Sequence, residues 1–269
     1  KKFCERAGRL CYKSEGSITD DSYKKLLATF DAKGHYSPLA HGTVYLIMNQ
    51  QDYGKLIDRL NATYWNEASD TTFWDRFHNE VWTRIVFHAG FWYITTNYRV
   101  IKELGIEDIM EQFWSEPQCW HIRRYSVHFR IAVGIARELL RHSVALCPVE
   151  QSTRYCNFAK DKFGNEVSFV EPSWLDTLSE EHKEVLLRGW ETAESVYLAL
   201  VNNGVTPEKA RDILPLGLYT ETILTGFPDS WEHVFNLRTT KAAHPDIVAI
   251  MKPLAAEMYN RGFLTKKYE

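Results

Sequence analysis

The densest run of reactive side chains lies between Glu138 and Arg154, reading Glu-Leu-Leu-Arg-His-Ser-Val-Ala-Leu-Cys-Pro-Val-Glu-Gln-Ser-Thr-Arg. Arg141 and Arg154 each present a planar fork of N–H donors that matches phosphate or carboxylate oxygens. Glu138, Glu150, Gln151, Ser152 and Thr153 add donors and acceptors suited to a base edge or a sugar. These types fit the capture of an anionic nucleotide. They fit equally a solvated helix end with surface ion pairs. Two further arginines sit far away in the chain. Arg211 lies in Lys-Ala-Arg-Asp-Ile-Leu-Pro-Leu, and a partly buried arginine needs an anion, whether Asp212, a glutamate or a ligand. Arg238 lies in Phe-Asn-Leu-Arg-Thr-Thr-Lys. His35 and His41 flank a turn, but no third ligand has matching spacing, so no metal is expected.

These residues need elements to hold them. The composition of Ala132–His142 favours helix, and Glu138 and Arg141, three apart, share a face of it. Pro148 forbids simple continuation, so the stretch to Tyr155 is expected to be an irregular loop on a rigid base. Strands are expected at Thr43–Met48, around Phe87–Thr95 and at Ser126–Ile131. Ser22–Phe30 has helical spacing, with Asp20 or Asp21 as its cap and Gly34 closing the turn that follows. Ser179–Asn202 reads as a long amphipathic helix. Thr206-Pro207-Glu208 starts another, expected to run from Lys209 to Leu224 with a kink at Pro215. Ser230–Leu237 and Pro245–Arg261 are further helices. Strands early and helices late predict an α/β (mixed α+β) fold, a central sheet flanked by helices.

The 269 residues are 45% hydrophobic and 25% charged, the balance of an ordinary globular protein. No repeat or linker divides them. The expected organisation is one domain, 1–269, with an aromatic-rich insertion at about 52–125. There the rings concentrate in Thr72–Tyr98 and Gln112–Tyr125. A net charge of −3 without a basic stripe argues against nucleic acid as partner. The five cysteines form no Cys-x-x-Cys pair, so reduced thiols in a cytoplasmic protein are expected rather than zinc. No apolar leader and no run of ~18 apolar residues is visible, so a membrane partner is not expected.

Four blocks occur in a meaningful order: His-x-Ser-Pro-x-x-His at His35–His41, Arg141-His142-Ser143 at a helix-to-loop junction, Ala-Arg-x-x-Leu-Pro at Ala210–Pro215, and Asn-Leu-Arg at Asn236–Arg238. With Ala7–Ser14 and Glu150–Tyr155, they resemble the flavin-dependent thymidylate synthases. The resemblance covers both ends and the centre, but not Asp52–Tyr125. It departs from the family pattern at particular places. Ser143 stands where the signature Arg-His-Arg has its second arginine, and eight residues rather than seven separate Ser143 from Ser152. Phe227 and Asp229 stand where the family has a flavin-contacting Asn-x-Arg. His233 replaces a common asparagine, and Ala242 a usual histidine, for which His244 is a nearby substitute.

The resemblance implies reductive methylation of dUMP to dTMP, with methylenetetrahydrofolate as carbon donor and NADPH-reduced FAD as hydride source, in a homotetramer. It implies that Arg141, Arg154 and Arg211 bind the phosphate and sugar, and that Glu138, Glu150, Gln151, Ser152 and Thr153 line the nucleotide site. Arg238 would lie against the uracil, with Arg238 and Ser152 as catalytic residues. Ser37, Arg141, His142, Ser143, Glu150, His233 and His244 would approach the flavin. No cysteine attacks the uracil in this family, so Cys147 is assigned no nucleophilic role. The altered signature leaves two alternatives: a related flavin-dependent pyrimidine-nucleotide C5 methylase or hydroxymethylase, and a non-catalytic nucleotide-binding homologue.

Overall fold

The computed structural model describes residues 1–64, 82–143 and 145–268. Its six strands form two three-stranded antiparallel sheets rather than one central sheet. The first contains β1 (Thr43–Asn49), β2 (Arg84–His88) and β3 (Phe91–Asn97) in the order β1-β3-β2. The single strand expected around Phe87–Thr95 is a hairpin. Ala89 and Gly90 both take positive φ (47° and 86°), as a two-residue turn with the twist of paired strands requires. β1 alternates between buried and half-buried positions, so one face carries the core. Helices Gln50–Tyr64, Tyr98–Glu103 and Glu107–Phe113 cover that face. Leu46, Met48, Leu56, Ile94, Ile101 and Ile106 form a core of their own there. Residues 72–81 of the expected aromatic segment lie outside the described residues.

The second sheet contains β4 (Tyr125–Ala132), β5 (Cys147–Glu150) and β6 (Tyr219–Gly226) in the order β4-β6-β5. β6 is buried from Thr220 onward because both its faces are covered. Leu224 packs with Trp231, Phe235, Ile247 and Met251, from helices Pro228–Arg238 and Pro245–Asn260. Ile223 packs on the other face against Ala7 and Leu10 of helix Lys2–Leu10, an element not anticipated.

Two expected elements need correction here. The helix expected over Lys209–Leu224 stops after Pro207–Ala210 and a 3-10 turn at Arg211–Ile213. Pro215 blocks its continuation, and Tyr-Thr-Glu-Thr-Ile-Leu-Thr then takes the strand conformation that β-branched residues favour. The loop expected up to Tyr155 contains β5 in spite of Pro148. That strand lies at the edge of its sheet, where a missing N–H is tolerated. Helices Ser22–Ala32, Glu180–Asn202, Pro228–Arg238 and Pro245–Asn260 form close to their expected bounds. Asp21 occupies the cap position of the first without a side-chain bond, whereas Ser179 caps the second by accepting from the His182 N–H at 3.3 Å. The five cysteines are free thiols. Among the described residues no helix is long and apolar enough to cross a membrane.

Candidate functional site

Helix Val133–Leu140 leaves β4 directly, so its far end is set by the sheet. A tight turn closes that end: the His142 N–H reaches the Leu139 carbonyl at 3.0 Å, and the Ser143 N–H reaches Leu140 at 3.1 Å. Opposite, helix Pro228–Arg238 delivers Arg238 at its last position. The Arg238 guanidinium donates to the Glu138 carboxylate at 2.8 Å, to the Glu138 carbonyl at 3.1 Å and to His142 Nε2 at 2.9 Å. Its side chain is 14% exposed. Three bonds from one fork leave its plane little freedom. Burial, then the charges of Arg238, His233 and Arg141, push the His142 pKa down to about 4. His142 is therefore neutral near pH 7. The His233 ring stands edge-on to it at 6.1 Å. Arg141 and Ser143 are exposed beside this cluster, and Arg141 makes no hydrogen bond or ion pair among the described residues.

The loop after β5 gathers a second group. Main-chain bonds fix it: the Gln151 N–H reaches the Glu221 carbonyl at 2.8 Å and the Ser152 N–H the Cys11 carbonyl at 2.9 Å. Arg211 donates to Thr153 Oγ1 at 2.9 Å and pairs with no carboxylate among the described residues, Asp212 included. Arg154 lies 3.3 Å from the Glu208 carboxylate and over the Tyr155 ring. Burial raises the Glu150 pKa, while the Thr220 hydroxyl at 3.2 Å and the charge of Arg137 pull it back. Gln151 is buried, its Oε1 without a hydrogen-bond partner. It lines a polar cavity of about 380 Å³ together with Lys13, Arg130 and Lys162.

Within one chain, no hydrogen bond, ion pair or ring contact between described residues joins the Arg238 cluster to the Arg211–Thr153–Arg154 group. Ser37 is exposed at the start of the 3-10 turn Ser37–His41. His41, at its end, is buried against Thr225 Oγ1 at 2.8 Å; burial and then Arg124 push its pKa down to about 3. His244 caps helix Pro245–Asn260 by accepting from the Asp246 N–H at 3.2 Å. It also lines the larger cavity, of about 640 Å³, as does Glu138.

Three polar features were missed in the sequence. Glu221 is buried on β6 and receives Lys13, the Tyr219 hydroxyl at 2.9 Å and His128 Nε2 at 2.7 Å. Assigning that stretch to a helix hid it. Arg124 is buried with only the Ala40 carbonyl (3.0 Å) and the Cys147 sulfur (3.2 Å) as polar partners. Arg84 of β2 reaches Asp229 at 2.6 Å and lies over the Phe227 ring, 4.6 Å from its centroid. No local signal in the sequence marks either arginine.

Residues 106–261 match the family described as "Thymidylate synthase complementing protein". The flavin-dependent thymidylate synthase of Geobacter sulfurreducens is 32% identical over 128 residues, 48% of this chain and 51% of that one. Its counterpart from Pyrococcus furiosus is 28% identical over 187 residues, 67% and 73% of the two chains. The one from Sulfurisphaera tokodaii is 25% identical over 143 residues, 52% of each. The chain thus spans about half the length of two of these three relatives. With Arg141, Arg154, Arg211 and Arg238 all inside the matched segment, which is more than half of the chain, the protein belongs to the thymidylate synthase complementing protein family.

Proposed function

We propose that the protein is a flavin-dependent thymidylate synthase, which reductively methylates dUMP to dTMP. The observation that supports this reading best is Arg238, a cation held rigidly between Glu138 and the neutral His142. A uracil ring activated at C5 builds negative charge at its N3–O2 edge. A preorganised guanidinium stabilises that charge without reorganising during the step. Arg238 acts here, with Ser152 as the second residue against the substrate. Arg141, Arg154 and Arg211 bind the phosphate and sugar; Glu138, Glu150, Gln151 and Thr153 line the nucleotide. Because the Arg211 group and the Arg238 cluster lie apart in one chain, the reading places them together between copies of a homotetramer.

The flavin residues fit an anionic cofactor by their donor chemistry. Arg141 is exposed and without a carboxylate, Ser143 and His233 flank it, and His142 can offer Nδ1–H. Ser37, Glu150 and His244 complete the set. FAD, reduced by NADPH, supplies the hydride that completes the methyl group, whose carbon comes from methylenetetrahydrofolate. The protein's share is to bind, orient and polarise. We read residues 1–269 as one cytoplasmic domain, with the β1-β3-β2 unit within an insertion at about 52–125.

A second reading follows from Arg84, which pairs with Asp229 and covers Phe227 at the two positions where the resemblance expects Asn-x-Arg. That replacement favours a related C5 methylase or hydroxymethylase of another pyrimidine nucleotide, or a non-catalytic homologue. One experiment separates these. The purified protein is examined for flavin absorbance and FAD uptake. It is then incubated with NADPH, methylenetetrahydrofolate and dUMP, UMP or dCMP, and the products are separated by chromatography. Yellow protein and dTMP are expected. Colourless protein that takes up no FAD rejects the enzyme reading, and a methylated or hydroxymethylated product from UMP or dCMP alone selects the second.

A further inference from the structure

We infer that the cavity beside Glu138 binds a flat, nitrogen-rich aromatic ring with adjacent N–H donors, the chemistry shared by pterins and adenine. The cavity measures about 640 Å³, the size of a small-molecule site. Its walls come from helix Val133–Leu140, residues 170–174, helix Glu180–Asn202, residues 215–217 and the start of helix Pro245–Asn260.

One wall is a prepared flat surface. Trp190 stacks on Phe169 with ring centroids 5.2 Å apart and planes 6° from parallel. Gly217 lies against the indole so closely that a Cβ there would come within 3.2 Å of it. Any other residue at position 217 would tilt or displace the ring. Trp174 supplies a second indole. Indole faces attract flat rings by stacking.

The polar groups around these faces are mostly acids. Asp246 is committed to the wall: its Oδ1 accepts from the Ser173 N–H at 2.7 Å and hydroxyl at 2.6 Å. Glu138 gives Oε2 to Arg238, but its Oε1 accepts no hydrogen bond among the described residues. Glu171 accepts none there either and is exposed at the rim. A carboxylate oxygen is an acceptor only, so its complement is a ring edge carrying an amine or ring N–H rather than a phosphate. Arg130 is the cavity's one arginine and can meet an anionic tail. The proposed function enters at one point only. A ring held by Glu138 sits one carboxylate away from Arg238, the cation assigned to the uracil.

The test is calorimetry on the purified protein, as isolated and after FAD addition, with 5-methyltetrahydrofolate as the pterin probe and AMP as the adenine probe. Binding of dUMP and FAD is measured on the same preparation. Saturable binding of one probe is expected. Persistence after FAD addition assigns the cavity to the pterin; AMP binding that FAD abolishes assigns it to adenine. Glu171→Gln should weaken binding by about tenfold. Ala249→Trp, at an exposed wall position, should abolish it with an unchanged melting temperature. If neither probe binds, or Ala249→Trp binds like the parent, the inference is overturned. If dUMP and FAD bind while both probes fail, the inference falls and the proposed function stands. If a probe binds while dUMP and FAD do not, the reverse holds.

Discussion

Arg238 donates through Nε to His142 Nε2 at 2.9 Å, which fixes the imidazole proton on Nδ1. An arginine always donates, so the accepting nitrogen has to be bare. The same guanidinium holds both the carboxylate and the carbonyl of Glu138. Arg238→Ala should keep dUMP binding measurable by calorimetry and lower kcat by roughly 10²–10³-fold, the effect of losing one preorganised charge donor. Arg238→Lys should recover little, since an ammonium cannot reach three partners as a planar fork does. Unchanged turnover in the alanine variant would remove Arg238 from the chemistry.

The two depressed histidines predict a pH dependence of stability. His142 and His41 have folded-state pKa values of about 4 and about 3, against roughly 6.5 in an unfolded chain. Below pH ~6.5 the unfolded chain therefore binds protons that the folded chain refuses. Stability should fall as pH drops from about 6.5 through about 4, and should not depend on these two groups at higher pH. Urea titrations between pH 4 and 7.5 measure this. His142→Asn should flatten the slope, and an identical slope in the variant would contradict the assignment.

Glu221 predicts a large cost from a distant lysine. Burial alone would raise its pKa, but the bonds from Lys13, Tyr219 and His128 more than reverse that, and the carboxyl lies below its ordinary range. Its side chain is 4% exposed. Lys13→Met should cost about 3 kcal/mol, because it strands a buried carboxylate. Adding Glu221→Gln should recover part of the loss, and denaturant unfolding of the three variants gives the coupling. Additive losses would show that the pair does not act as a unit.

Arg84 predicts a coupling between the two sheets. It belongs to β2, while Asp229 and Phe227 belong to the β6 side. Arg84→Ala should cost about 1–2 kcal/mol, summing a cation–π contact and a partly exposed ion pair. Amide exchange in β2 should quicken more than in β6. Equal change in both strands would mean that the contact does not join them.

Much of the helical framework was legible because its signals are local. Glu180–Asn202 announces itself by a serine cap, and Pro245–Asn260 by a proline in its first turn. β6 was not legible, because a strand buried on both faces lacks alternation and follows a genuine short helix. Nor was β5, where Pro148 counted against a strand until its edge position was known. The arginines stood out by type and by block, and their partners did not. Glu138 and Arg238 are 100 residues apart, and only the packing of two helix ends brings them together. Arg84 and Arg124 have no sequence signal at all, since their partners are a ring, a thiol, a carbonyl and one carboxylate.

The β1-β3-β2 unit buries its apolar residues in a cluster separate from the one beneath Trp231 and Phe235. Opening such a reservoir costs only its own cohesion, so the molecule can breathe there while the rest stays shut. Arg238, Glu138 and His142 all stand on the other side of that division. The catalytic geometry is thereby insulated from sequence drift and thermal fluctuation in the smaller unit.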